Sequence, residues 1–298
     1  MGFGSTMNWT AYKKPKNVGE ALAFLEQADG KGRVIAGGTN LLLQLRRHEL
    51  TVETLVDISE IQDLKAIWEK EDWIYIGAGV THREVAKNPV IQREVRTLAQ
   101  GCGQVGSPQI RNMGTLVGNV VNAHSAGDGA IPLMALEAEL GVVSKEGERW
   151  IALEEAYRAI GLSAVDPTKD VATAVRFKNF RGYRKTGFFR MARRKALALP
   201  IVNGSVSVFW DGSRNRIEKA RIAIGPVAYK PLRPRKAEHY LESMKISDEN
   251  LLHGCRIASE EGSPRTTFQA SALYRERMIE INLFLTIKGI LDELRGTT

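Results

Sequence analysis

The chain has 298 residues, 43% hydrophobic and 26% charged, with a formal net charge of +8. That length supports about two packed domains. No apolar run approaches the roughly 20 residues of a membrane-spanning helix, so no membrane span is expected. The only two cysteines, Cys102 and Cys255, lack C-x-x-C spacing, and the five histidines form no H-x-x-x-H pair, so no metal centre is expected.

The opening MGFGSTMNW has no charged segment leading into an apolar one. It reads as lacking a secretory signal, with Met7 as the native start. Two isolated thiols suit a reducing, cytoplasmic setting. Excess basic charge favours phosphate-bearing or acidic partners without choosing among them.

In chain order, NVGEALAFLEQA (17–28) predicts an amphipathic helix. Asn17 and Glu20 have capping-box spacing, and Leu22, Phe24 and Leu25 form the apolar face. RVIAG (33–37) predicts a strand, TNLLLQLRR (39–47) a helix capped by Thr39, and TLVDI (54–58) a second strand. KAIWEKEDWIYIGAG alternates as two strands around a charged turn at 69–72. VTHREVAKN and PVIQREVRTLAQG predict two helices, the second running from Pro89 to a stop at Gly101. Residues 101–129 read as a long glycine-rich loop. AIPLMALEA (130–138) predicts a buried helix, LGVVS and RWIAL paired strands, LEEAYRAIG a short helix or loop, and DVATAVRF a further strand. A boundary near 176–180 follows. Beyond it, residues 198–227 alternate as an antiparallel hairpin or meander with a D-G turn at 211–212, and two helices close the chain.

GCGQVG (101–106) is a literal G-x-G-x-x-G. A dinucleotide fingerprint of that form follows a strand and opens a helix. Here it follows a helix and precedes Ser107-Pro108, so that reading is rejected. The glycines beyond it, Gly106, Gly114 and Gly118, lie among hydrogen-bonding side chains: Gln109, Arg111, Asn112, Thr115, Asn119 and Asn122. Glycine permits close backbone approach, and exposed N–H groups attract anions. The segment therefore reads as backbone wrapped around a large polar ligand, against the alternative of a solvated turn cluster. IAGGTNLL (35–42) runs strand, Gly-Gly, helix, a context in which backbone amides meet phosphate. An ordinary strand-to-helix turn has the same composition.

Taken together, I-A-G-G-T-N-L-L, Q-I-R-N-M-G-T-L-V-G-N and Asp128 resemble the FAD-binding subunit of molybdenum hydroxylases, which include xanthine dehydrogenase and aerobic-type carbon monoxide dehydrogenase. FFRMARRKALALPIVNGSVSV and RTTFQASALYRERMI continue the resemblance to the C-terminus. It implies an α+β protein: a two-subdomain, PCMH-like FAD-binding α/β domain over 7–176 (subdomains about 7–60 and 61–176), then an α+β domain over 177–298 with an antiparallel sheet and helices. It implies FAD as cofactor. Val34, Ile35, Ala36, Gly37, Gly38, Thr39, Asn40 and Leu41 would cradle the pyrophosphate. Thr115, Gly118 and Asn119 would make a second contact. Asp128 would accept hydroxyl hydrogen bonds, and Arg190 stands where the family often carries Lys near the flavin. No residue of this chain is expected to be catalytic in its own right.

The implied function is electron transfer within a hetero-oligomeric oxidoreductase. Electrons would come from a molybdopterin-binding catalytic subunit through a [2Fe–2S] subunit, and leave to NAD⁺ or another acceptor. Three departures stand out. Asn40 replaces the usual Asp, Val117 replaces a common Gly, and NAHSAGD introduces His124, which reads as an exposed loop histidine in preference to one facing the flavin ring or a neighbouring subunit. Two cysteines exclude the four-cysteine cluster of some relatives. Two rivals remain. One is a stand-alone flavin reductase of the UDP-N-acetylmuramate-forming type, whose first loop Asn40 matches. The other is RNA binding by RGYRKTGFFRMARRK (181–195), where basic residues interleave with aromatics. The resemblance outweighs both, and no nucleic-acid partner is expected.

Overall fold

The computed structural model describes residues 9–181, 184–194, 196–210 and 216–295. It contains a small parallel sheet, a five-stranded antiparallel sheet and a three-stranded antiparallel meander. The D-G turn at 211–212 and the start at Met7 lie outside the described residues.

The first unit runs β1 (Ala11–Lys13), α1 (Val18–Gln27), β2 (Gly32–Ile35), α2 (Leu41–Arg46) and β3 (Thr54–Asp57). Its strands are parallel in the order β1-β3-β2. Asn17 caps α1, its side chain accepting from the Glu20 N–H at 2.8 Å. The Glu20 carboxylate returns to the N–H of Lys16 rather than of Asn17, so the box closes one residue further out. The fully buried positions of α1 are Ala21 and Leu25, one helical turn apart, with Leu22 and Phe24 partly covered. Strand β1, with three residues, is absent from the sequence-based expectation.

Next come β4 (Ile67–Lys70) and β5 (Trp73–Gly77), the expected hairpin. Helices α3 (His82–Lys87), α4 (Pro89–Glu94) and α5 (Arg96–Gln104) follow. The single helix expected from Pro89 to Gly101 is thus two, broken at Val95, and Gly101 lies inside α5 instead of ending it. Gly101 has a packing cause. A Cβ there would strike the Asp128 carbonyl oxygen and lie 2.8 Å from Pro132.

The expected long loop is also overturned. It holds α6 (Pro108–Met113) and α7 (Leu116–Val121). Ser107 caps α6 with Pro108 in its first turn, and Thr115 caps α7, accepting from the Gly118 N–H at 3.0 Å. Leu116, Val117 and Val120 of α7 are buried. Helix α8 (Ala130–Ala135) is buried along its whole length, as expected. The paired strands are β6 (Glu139–Ser144) and β7 (Gly147–Ala152). Residues 153–161 form no helix; β8 (Tyr157–Ala159) pairs instead with β9 (Leu162–Ser163). Strand β10 (Val171–Lys178) enters the middle of the large sheet, ordered β4-β5-β10-β6-β7. There Val175 and Phe177 join Ile74, Ile76, Leu140 and Leu116 in the larger core.

The remaining strands are β11 (Arg184–Met191), β12 (Val202–Trp210) and β13 (Ile217–Gly225). Helices α9 (Arg235–Ser243), α10 (Asp248–Gly262) and α11 (Ala272–Arg295) cover this sheet around a second core that includes Val206, Ile222, Leu283 and Ile287. Among the described residues no helix is long and apolar enough to cross a membrane.

The two cores are tied together. Helix α8 packs on β12 and β13. Just after it, Glu137 accepts from Lys219 Nζ at 2.8 Å, Arg221 Nε at 2.7 Å and Arg233 Nη1 at 3.3 Å. Burial raises the Glu137 carboxyl, but the bonds from Lys219 and Arg221 outweigh it and bring its pKa down to about 2.

Candidate cofactor-binding site

Strand β2 ends at Ile35, and the chain turns through two glycines before α2. Gly38 adopts φ +66°, a left-handed conformation that glycine takes without penalty. Helix α2 begins two residues later than expected. Its cap position is Asn40, without a side-chain cap bond, so Thr39 does not cap it. The N–H groups of Gly37, Gly38, Thr39, Asn40 and Leu41 have no acceptor among the described residues. Five adjacent free donors make a site for an anion.

The opposite wall is the turn between α6 and α7. Gly37 lies against it so closely that a Cβ would sit 2.6 Å from the Met113 carbonyl carbon and 2.9 Å from Gly114 Cα. The His82 N–H donates to the Gly114 carbonyl at 2.9 Å, fixing that turn to α3. Asn40 Nδ2 donates to Asn122 Oδ1, tying α2 to α7. Between the walls is a cleft of about 220 Å³.

All of residues 34–41 line this cleft, as do Thr115, Gly118 and Asn119. The structure thus brings together eleven of the thirteen residues singled out from sequence. Asp128 and Arg190 are not among the lining residues. They form a buried pair, Arg190 Nε donating to Asp128 Oδ2 at 3.0 Å. Asn203 Nδ2 donates to the other oxygen at 2.8 Å. Burial pushes the Asp128 carboxyl above its ordinary range, against Arg190 and Asn203, which favour the anion. Asn119 of the cleft borders the loop that carries Asp128, since Cβ atoms on Gly127 and Gly129 would lie 2.9 and 3.2 Å from its Oδ1.

Two buried side-chain atoms at the cleft have no partner: Asn119 Oδ1 and His82 Nδ1. Such atoms are rare in folded proteins and invite a ligand. His82 was not singled out from sequence, although the T-x-x-E capping box at Thr81 and Glu84 that positions it is legible there. His124 is half-buried instead of exposed. Its Nδ1 accepts from the Ala126 N–H at 3.1 Å, within its own turn.

Burial, with the Arg111 charge, pulls the His82 pKa from 6.5 to about 4. Its imidazole is therefore neutral at physiological pH. A histidine with a depressed folded pKa penalises the folded state as pH falls, because the unfolded chain takes the proton first. The penalty begins near pH 6.5, is complete near pH 4, and amounts to about 3 kcal/mol. In denaturant titrations of the apoprotein, His82→Gln is expected to shrink the stability loss between pH 7 and pH 4 by about that amount. An unchanged pH dependence would refute this role.

The donor set fits FAD. Unpaired backbone N–H groups suit a pyrophosphate, and an orphaned amide oxygen suits a hydroxyl. Over residues 5–177 the chain matches the family described as FAD binding domain in molybdopterin dehydrogenase. Residues 187–288 match the CO dehydrogenase flavoprotein C-terminal domain. Over 285 residues it is 28% identical to the nicotinate dehydrogenase FAD-subunit of Eubacterium barkeri, covering 95% of this chain and 96% of that one. Identity to the glyceraldehyde dehydrogenase medium chain of Sulfolobus acidocaldarius is 27%, over 95% of this chain and 97% of the relative. A solved carbon monoxide dehydrogenase from Hydrogenophaga pseudoflava has the same fold, with a TM-score of 0.89 at 23% identity over 96% of this chain and 98% of that one.

Proposed function

Since the chain belongs to the FAD-binding family of molybdopterin dehydrogenases, we propose that it is the electron-transfer subunit of a molybdenum hydroxylase complex, working between a [2Fe–2S] subunit and NAD⁺ or another acceptor. It is an FAD-binding medium subunit of an oxidoreductase. The iron–sulfur and molybdopterin-binding partners, the acceptor and a reducing cytoplasmic setting belong to the proposal. So does the division into a flavin domain over 7–176 and a C-terminal domain over 177–298.

When bound, FAD supplies reversible one- and two-electron redox chemistry. The chain supplies position and charge. The free N–H groups of residues 37–41 hold the pyrophosphate, with Thr39 and Asn40 adding side-chain bonds. Asn119 Oδ1 accepts from a hydroxyl. Asp128 uses its remaining lone pairs in the same way. Arg190 sets positive charge nearby, which favours an electron-rich cofactor.

The observation that carries this reading is the row of five free donors facing an orphaned Asn119 oxygen across one cleft. The test is the visible spectrum of the purified chain, followed by identification of the cofactor released on denaturation. Flavin bands and released FAD are expected, with anaerobic bleaching by NADH if NAD⁺ is the acceptor. A colourless protein that also fails to take up added FAD would overturn the site. FAD that binds but is not reduced by NADH would remove NAD⁺ alone.

A further inference from the structure

The basic run at 181–195 divides into two parts. Arg190 is held by Asp128 and also donates to the Ala198 carbonyl. Arg193 donates to the carbonyls of Phe268 and Gln269 at 2.8 and 3.0 Å. Arg194 donates to the Leu197 carbonyl at 2.6 Å. These three cations are engaged within the protein. Arg181, Arg184 and Lys185 instead line a second cleft of about 650 Å³, and Arg93 and Arg96 line it from α4 and α5. It shares no lining residue with the first cleft.

Five cations line this cleft against two carboxylates, Glu94 and Glu293. Arg93 already donates to Glu94 at 2.6 Å, and Arg181 lies 3.9 Å from Asp72. Among the described residues no carboxylate pairs with Arg96, Arg184 or Lys185. Arg184 is the telling member. It is only 5% exposed, and its Nε is buried without a partner. Its guanidinium stacks 5.1 Å from the Phe180 ring centroid. A buried guanidinium without a paired carboxylate is costly, and burial, against the charges of Glu137 and Glu94, depresses its pKa to about 10. An anion in the cleft would offset that cost. Arginine's planar fork matches phosphate oxygens in particular. The volume falls within the range of small-molecule sites, roughly 300–1,000 Å³.

We propose that this second cleft binds a phosphorylated small molecule the size of a nucleoside diphosphate. Arg184 bonds its phosphate oxygens, and the exposed Arg96 and Lys185 attract it at the mouth.

The test uses the full chain loaded with FAD, so that the first cleft is filled. Calorimetric titrations compare ADP, pyrophosphate and adenosine. ADP and pyrophosphate are expected to bind while adenosine does not. Arg184→Gln should weaken ADP binding at least about tenfold, with the flavin spectrum unchanged. The double variant Arg96→Gln/Lys185→Gln, confined to exposed positions, should weaken it several-fold and more so at low salt. No heat with ADP or pyrophosphate at millimolar concentration would overturn the proposal. So would an affinity indifferent to both sets of variants, or ADP binding that releases flavin. A short single-stranded RNA binding more tightly than ADP through the same residues would overturn it in favour of nucleic acid.

Discussion

Gly37→Ala is expected to strip the protein of its flavin. The new methyl group would overlap the Met113 carbonyl and approach Gly114 Cα to 2.9 Å. Both neighbours are backbone, so neither can rotate away. The two walls of the cleft must separate, and overpacking of this kind costs about 1–3 kcal/mol. Borne by the binding geometry, that is roughly 10- to 100-fold weaker FAD binding. One glycine of the literal G-x-G-x-x-G provides the contrast. Gly103 lies in α5, where a Cβ would meet nothing within 4 Å, so the position accepts alanine. Gly103→Ala should stabilise the helix by about 0.5–1 kcal/mol and leave flavin content alone. The measurement is FAD per chain after purification, followed by FAD titration of each apoprotein. Full flavin content in Gly37→Ala would mean the pyrophosphate lies elsewhere.

The large sheet was legible because its strands alternate or run apolar over several residues, as in WIYIG and VATAVRF. The turn from β2 into α2 was legible because a strand, two glycines and a leucine-spaced helix follow one another within ten residues. What was missed has physical causes. Strand β1 has three residues and only becomes a strand by pairing with β3, 43 positions away at Ala11 and Thr54. Helix α9 looks too polar for a packed element because its buried Glu238 is neutralised by Arg233, each oxygen accepting at 2.8 Å. Helices α6 and α7 hide in glycine- and asparagine-rich sequence, where only their caps, Ser107 and Thr115, announce them. His82 is half of an ordinary helix start until α6 and α7 bury it. The cations of the second cleft come from segments about 90 residues apart, a distance that local pattern does not bridge.

Asp128→Ala is expected to lower stability strongly. The pair it breaks is buried, with 8% of the Asp128 side chain and 7% of that of Arg190 exposed. Removing one partner strands the other charge, which costs about 3–5 kcal/mol. Thermal unfolding should drop by on the order of 10 °C. The loop that carries Asp128 would also loosen, because Asn203 and Arg190 hold it against β12 and β11. The double variant Asp128→Leu/Arg190→Met separates structure from binding. Replacing a buried ion pair by apolar groups of similar size is often close to neutral, so most of the lost stability should return. If the pair only anchors its loop, flavin content returns with it. If Asp128 also accepts a flavin hydroxyl, or the Arg190 charge also favours the cofactor, the double variant folds normally yet still holds FAD weakly. Stability that fails to recover in the double variant would mean that the leucine and methionine do not fit the space, and Asp128→Asn, which keeps the shape and one acceptor, then decides the matter by its FAD affinity.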